Sequence, residues 1–190
     1  MPIAGFIFFG VLILIALYVI LIYNRLVQLK HDTVKAWANI DVLLAQRHDE
    51  LPKLVETCKQ YMKHEKETLE RVIQARGGVS AARKHHDVRA LGAAEGELRQ
   101  GLMSLFAVAE NYPELKADQS FRMLERRITE LESSIADRRE FYNDHVNANN
   151  VRLDQFPDLV IARLFGFKPF DLLEFSDTDT SNPDLRALFG

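Results

Sequence analysis

The run from Ile3 to Ile22 contains no charged residue, and it constrains everything that follows. At about 1.5 Å of rise per residue, a helix of this length is about 30 Å long, the thickness of a bilayer's hydrocarbon core. Phe6, Phe8, Phe9, Leu12 and Leu14 cover every side of it, whereas the surface helix of a soluble domain keeps a polar face. Tyr18 and Tyr23 suit the headgroup boundary, and Arg25, Lys30 and Lys35 follow as candidate lipid-headgroup contacts. By the positive-inside rule that flank is cytoplasmic and the amino terminus lies outside. A cleaved signal peptide would need a positive n-region and a small-residue cleavage site. Only Met1 and Pro2 precede the run, and no A-x-A pattern follows it, so a retained anchor is expected.

The rest of the 190 residues suffices for one ordinary domain. A net charge of -3 lacks the basic excess of a nucleic-acid binder, so no nucleic-acid partner is expected. Cys58 is the single cysteine, which excludes an intramolecular disulfide; placed among apolar residues at helical spacing, it reads as a buried, inert thiol.

Trp37, Leu44, Leu51 and Cys58 recur seven apart, and beyond the polar Glu65 the series resumes at Val72. Such a seam predicts a long helix continuing from the anchor. Pro52 removes one backbone donor and crowds the carbonyl of His48. Because the seam keeps its phase across Pro52, a kink is expected there, a reversal being the alternative. A kink alone gives three long passes and leaves Phe165-Gly166-Phe167 far from the bilayer; a reversal gives four and brings that segment back. Gly77-Gly78 reads as the end of the first helical region, with Ser80 capping a second helix that Pro113 stops. The small residues Gly92, Ala93, Ala94, Gly96 and Gly101 would admit a close neighbour. A third helix is predicted from about Ala117 to Leu153, apolar along Phe121, Leu124, Ile128, Leu131 and Ile135 and charged on its other face.

The expected fold is therefore all-α: an N-terminal transmembrane helix followed by an elongated antiparallel bundle of three to four long helices. The boundaries are 1–23 for the anchor, 24–156 for the bundle, 157–175 for an apolar C-terminal docking segment and 176–190 for an acidic tail. Pro157, Gly166 and Pro169 break up the docking segment, which is too apolar to be left in water. It is expected to cap the bundle, lie on a membrane or meet another subunit. Trp37, Leu164, Phe165, Phe167 and Phe170 are the candidate oligomer or docking contacts.

Catalytic constellations are sparse. His64-Glu65 opens an H-E-x-x-H pattern, but Thr68 stands where the second metal ligand belongs. His85, His86 and Asp87 are adjacent, and neighbours on a helix point about 100° apart. No phosphate loop or nucleophile elbow is present. The polar residues Asn39, Asp41, Arg47, His48, Arg138, His145 and Asn149 lie on or beside the seams, and are read as pairing across the bundle rather than converging on a ligand. No catalytic residue, metal or cofactor is expected.

Tyr23-Asn24-Arg25-Leu26-Val27, Ala36-Trp37-Ala38-Asn39-Ile40-Asp41-Val42, Arg47-His48-Asp49-Glu50-Leu51-Pro52 and Lys63-His64-Glu65-Lys66-Glu67-Thr68-Leu69 resemble signature blocks of the bacterial LemA family. So do Tyr112-Pro113-Glu114-Leu115-Lys116-Ala117, Phe141-Tyr142-Asn143-Asp144 and Leu164-Phe165-Gly166-Phe167-Lys168-Pro169. The chain departs from the family pattern at Gly77-Gly78, at Asn149, where an aromatic is more usual, and beyond Phe175. The resemblance implies a single-pass protein of the bacterial inner membrane with a helical bundle and no established enzymatic activity. The expected function is a non-enzymatic, self-associating scaffold in contact with membrane lipid, a homo-oligomer that organises or remodels the bilayer. An adaptor for an integral membrane partner such as a membrane protease is the alternative, and a metal-dependent hydrolase using His48, His64 or His145 is the second.

Overall fold

The computed structural model describes residues 2–85 and 87–175; the acidic tail expected over 176–190 lies outside the described residues. Among the described residues there is no strand. The helices in order are α1 (Pro2–Tyr61), α2 (Lys66–His85), α3 (Val88–Ala109), α4 (Pro113–Ala117), α5 (Gln119–Asp154) and α6 (Asp158–Leu164). The chain divides into two compact units, one formed by residues 1–39 with 138–172, the other by residues 40–137 with those from 173 onward. The long helices α1 and α5 each contribute to both.

The first unit joins the amino-terminal part of α1 to the end of α5, to α6 and to the extended strap after it. Ile22 and Leu26 of α1 are buried with Leu153 of α5 and with Ile161 and Ala162 of α6, and Val19 and Phe167 pack against this cluster. The Trp37 ring meets that of Tyr142 at a tilt of 60° with centroids 5.4 Å apart, and the Thr33 hydroxyl donates to the His145 carbonyl at 3.3 Å. These pairings run in opposite directions along the chain, so the two helix segments are antiparallel.

The second unit is a four-helix bundle made of α2, α3 and parts of α1 and α5. Leu44, Leu51, Leu54 and Cys58 of α1 are buried, with Leu69 and Val72 of α2, Leu91, Leu98 and Leu105 of α3, and Phe121, Ile128 and Leu131 of α5. A β-carbon added at Gly78 would lie 3.6 Å from that of Ala94, and one at Gly101 would lie 3.5 Å from Val72, so α2 and α3 form a close antiparallel hairpin. Gly92 lets the backbone after the strap approach closely: a β-carbon there would fall 1.9 Å from the Glu174 carbonyl oxygen.

Two sequence expectations need correction. Gly77-Gly78 is not a turn; α2 runs through both, and the hairpin falls after His85, where the Asp87 carboxylate accepts from the Ala90 N–H at 2.9 Å and caps α3. Ser80 therefore lies inside α2 and caps nothing. The first helix also does not reach Gly77. It continues through Pro52, as the unbroken seam suggests, and stops at Tyr61. Residues 62–65 contain neither glycine nor proline, so local chemistry gives no warning of this break. Tertiary bonds hold it: the Tyr61 hydroxyl donates to Asp118 at 3.1 Å, and the Tyr112 hydroxyl donates to Glu65 at 3.0 Å. The reversal weighed at Pro52 thus occurs ten residues later, and the bundle has four helical passes.

Candidate functional site

In α1 one segment is long and apolar enough to cross a bilayer, and its side chains are bare. Phe6 is 77% exposed and Leu14 66%; Phe8, Phe9, Leu12, Tyr18 and Tyr23 are also exposed. A core helix of a water-soluble protein would bury such residues. The segment ends inside the folded unit, since Ile22 is only 6% exposed and shares a cluster with Leu26 and Ile161. Cleavage after the apolar run would strip that cluster of a member.

At this boundary the strap after α6 folds back on α1. Gly166, at φ 69°, turns the chain in the left-handed region where a β-carbon is unfavourable. Phe165 and Phe167, flanking it, place their rings 4.8 and 5.8 Å from that of Tyr23. Beyond them Asn150 clasps the strap through its side-chain amide: Oδ1 accepts from the Phe170 N–H at 3.0 Å, and Nδ2 donates to the Phe170 carbonyl at 2.9 Å. Asn149, buried beside it, donates to the same Oδ1 at 3.1 Å, and the Tyr142 hydroxyl donates to the Asp171 carbonyl at 3.0 Å. Between strap and helix lies a cleft of about 530 Å³, lined by Tyr23, Lys30, His31, Phe165, Phe167 and Lys168 among others.

The expected site residues are distributed unevenly around this feature. Lys30 lines the cleft, whereas Arg25 and Lys35 are exposed and do not; residues five apart on a helix are rotated by about 140°, so the three cations face different sides. Trp37, Phe165 and Phe167 have aromatic partners within the chain, and Phe170 is held by Asn150. Leu164 remains 73% exposed, one helical turn from Val160 at 54% on α6, and Phe156, just before that helix, is 82% exposed. Sequence reasoning missed Lys168 and His31 as neighbours of Lys30. The available signal was the Gly166 turn between two phenylalanines, which presents the residue after them to whatever the aromatics cover.

Polar seam residues in the second unit pair across the bundle. Arg47, 1% exposed, donates to Glu95 of α3 and to Glu132 of α5 at 2.5 Å each. Burial opposes its charge, but the two carboxylates outweigh that effect and hold its pKa above the usual value; in Glu95 burial prevails over Arg47 and raises the carboxyl. Asp41 accepts from Arg83 at 2.8 Å, and His48 lies 2.7 Å from Arg76. His64 sits in the turn after α1, and the His145 ring meets Phe141 edge-on at 4.5 Å. Among the described residues no cluster of three histidine, cysteine, aspartate or glutamate side chains could hold a metal, so the reading of His48, His64 and His145 as a metal-dependent hydrolase site has no support. Cys58 is buried as expected, its thiol pushed up to about 12 by desolvation and by Glu125.

A family model described as the LemA family matches residues 36–186. Magnetosome protein MamQ 2 and Magnetosome protein MamQ 1 of Paramagnetospirillum magneticum are each 30% identical to the chain over 100 residues, 51% of this chain and 37% of theirs. The match thus spans little more than a third of those relatives' length.

Proposed function

Because the chain belongs to the LemA family, we propose that it is a non-enzymatic, membrane-anchored helical scaffold that self-associates at the bilayer. The observation that supports this most is α1, one helix that carries both the membrane-crossing segment and core positions of a folded unit. Anchoring many copies in one plane raises their effective concentration, so a modest lateral contact is amplified. The bare side chains of Phe156, Val160 and Leu164 suit that contact, because α6, which carries Val160 and Leu164, also carries Ile161 and Ala162 of the cluster that contains Ile22. The names of the two relatives assign them to the magnetosome. Arg25, Lys30 and Lys35 on the carboxyl side of the span support the part of this reading that places the protein in the inner membrane with its bundle in the cytoplasm.

A chain carrying Cys58→Ala and His64→Cys tests both parts. Its reporter thiol should resist a membrane-impermeant maleimide in intact cells and react once they are permeabilised. In mild detergent, light scattering should give a mass above that of the 21.8 kDa chain and rising with concentration. A monomer at every concentration would overturn self-association, and a single foreign crosslinked band in native membranes would make the protein an adaptor instead.

A further inference from the structure

We infer that the cleft between α1 and the strap binds the headgroup of an anionic phospholipid, with Lys30 and Lys168 on the phosphate. Three observations carry this, given that Ile3 to Ile22 crosses the membrane. The first is charge. Lys30, His31 and Lys168 line the cleft, among the described residues no aspartate or glutamate does, and the whole chain has a net charge of -3. Among the described residues, moreover, neither Lys30 nor Lys168 enters an ion pair, so both cations are available to a ligand.

The second observation is depth. Phe167 packs on the cluster that holds Val19 and Ile22, the last turn of the apolar run, and Tyr23 is the next residue. Lys30 lies seven residues farther along α1, about 10 Å along the axis. The headgroup layer is about 5–7 Å thick on each side of the hydrocarbon, and a lysine stem can reach back toward it. The cleft therefore opens where lipid phosphates are concentrated, and the anchor keeps it there.

The third is construction. Gly166 turns the strap, the Tyr23 ring contacts hold it to α1 and the two-bond clasp from Asn150 holds it to α5, so the cleft is formed before a ligand arrives. Its volume, about 530 Å³, is ample for a phosphoglycerol headgroup, and Phe165, Phe167 and Tyr23 offer apolar surface to the first carbons of the acyl chains. Free inorganic phosphate would satisfy the lysines but make no use of the apolar surface those rings offer, which favours a lipid.

Native mass spectrometry of the full-length protein, released from neutral detergent, tests the site. Mixed with equal amounts of phosphatidylglycerol and phosphatidylcholine, the protein should retain one phosphatidylglycerol in preference by at least about fivefold. Lys30→Gln with Lys168→Gln should bring the two lipids to parity without changing helicity, and Lys30→Arg with Lys168→Arg should restore the preference. Millimolar inorganic phosphate should not displace the lipid. Equal retention by the native protein, or a preference undiminished in the double glutamine variant, would overturn the proposal; displacement by phosphate would replace it with a free-oxyanion site. Carbonate washing of membranes separates this from the anchor reading, because a protein that stays in the pellet yet shows no lipid preference fails only at the cleft.

Discussion

Arg47 is among the largest side chains hidden from solvent, and its two carboxylate partners come from helices far apart in sequence. Removing one member of a buried ion pair leaves the other's charge desolvated, which costs about 3–5 kcal/mol, whereas replacing both with apolar groups is often neutral. Arg47→Met should therefore lower stability by about that amount in chemical denaturation, and adding Glu95→Leu should recover most of it. Additive losses would show that the pair is not coupled. His48 gives a pH dependence. Arg76 has only donors to offer, so His48 Nε2 accepts and the proton sits on Nδ1, leaving a neutral ring. Burial first, and then the Arg76 charge, lower its pKa, with Arg83 and Lys84 acting in the same direction and Asp49 against them. Below about pH 6.5 the unfolded histidine takes up a proton that the native ring refuses, so stability present at neutral pH is lost on acidification. Thermal melts between about pH 7.5 and 5 should show this fall, and His48→Gln should shrink it; an unchanged slope would exclude His48 as its source.

At the scale of the helices, period was legible and punctuation was not. The seven-residue seam of α1 and the apolar stripe of α5 were readable because burial imposes their spacing, and Leu44, Leu51, Cys58, Phe121, Ile128 and Leu131 are all buried. The turns were misread because the seam's phase happens to survive the break at residues 62–65, while the glycine pair that looks like a stop lies in mid-helix. Asp87 shows the same difficulty: weighed beside two histidines as a metal ligand, it is a helix cap. Gly77→Ala distinguishes the two readings. A β-carbon there would meet nothing within 4 Å, and α2 is helical at that position. The substitution should raise stability by about 0.5–1 kcal/mol, as expected for glycine replaced inside a helix. A true turn of left-handed geometry would instead be destabilised, and a lowered melting temperature would restore it.

For the molecule as a whole, the membrane segment was the most legible part, since twenty uncharged residues leave few physical alternatives, and the cleft was the least. Lys30 and Lys168 are separated by most of the sequence, and only the return of α5 and the strap to α1 brings them to one cavity. That return depends on the grip of Asn150, which holds position 170 by its peptide group and not by its ring. A carboxamide offers a donor and an acceptor side by side, the same pair that a neighbouring strand would present. Evolution is then free to change the side chain at 170 while its place is kept, with one prohibition: proline, having no hydrogen to give, would open the fastening.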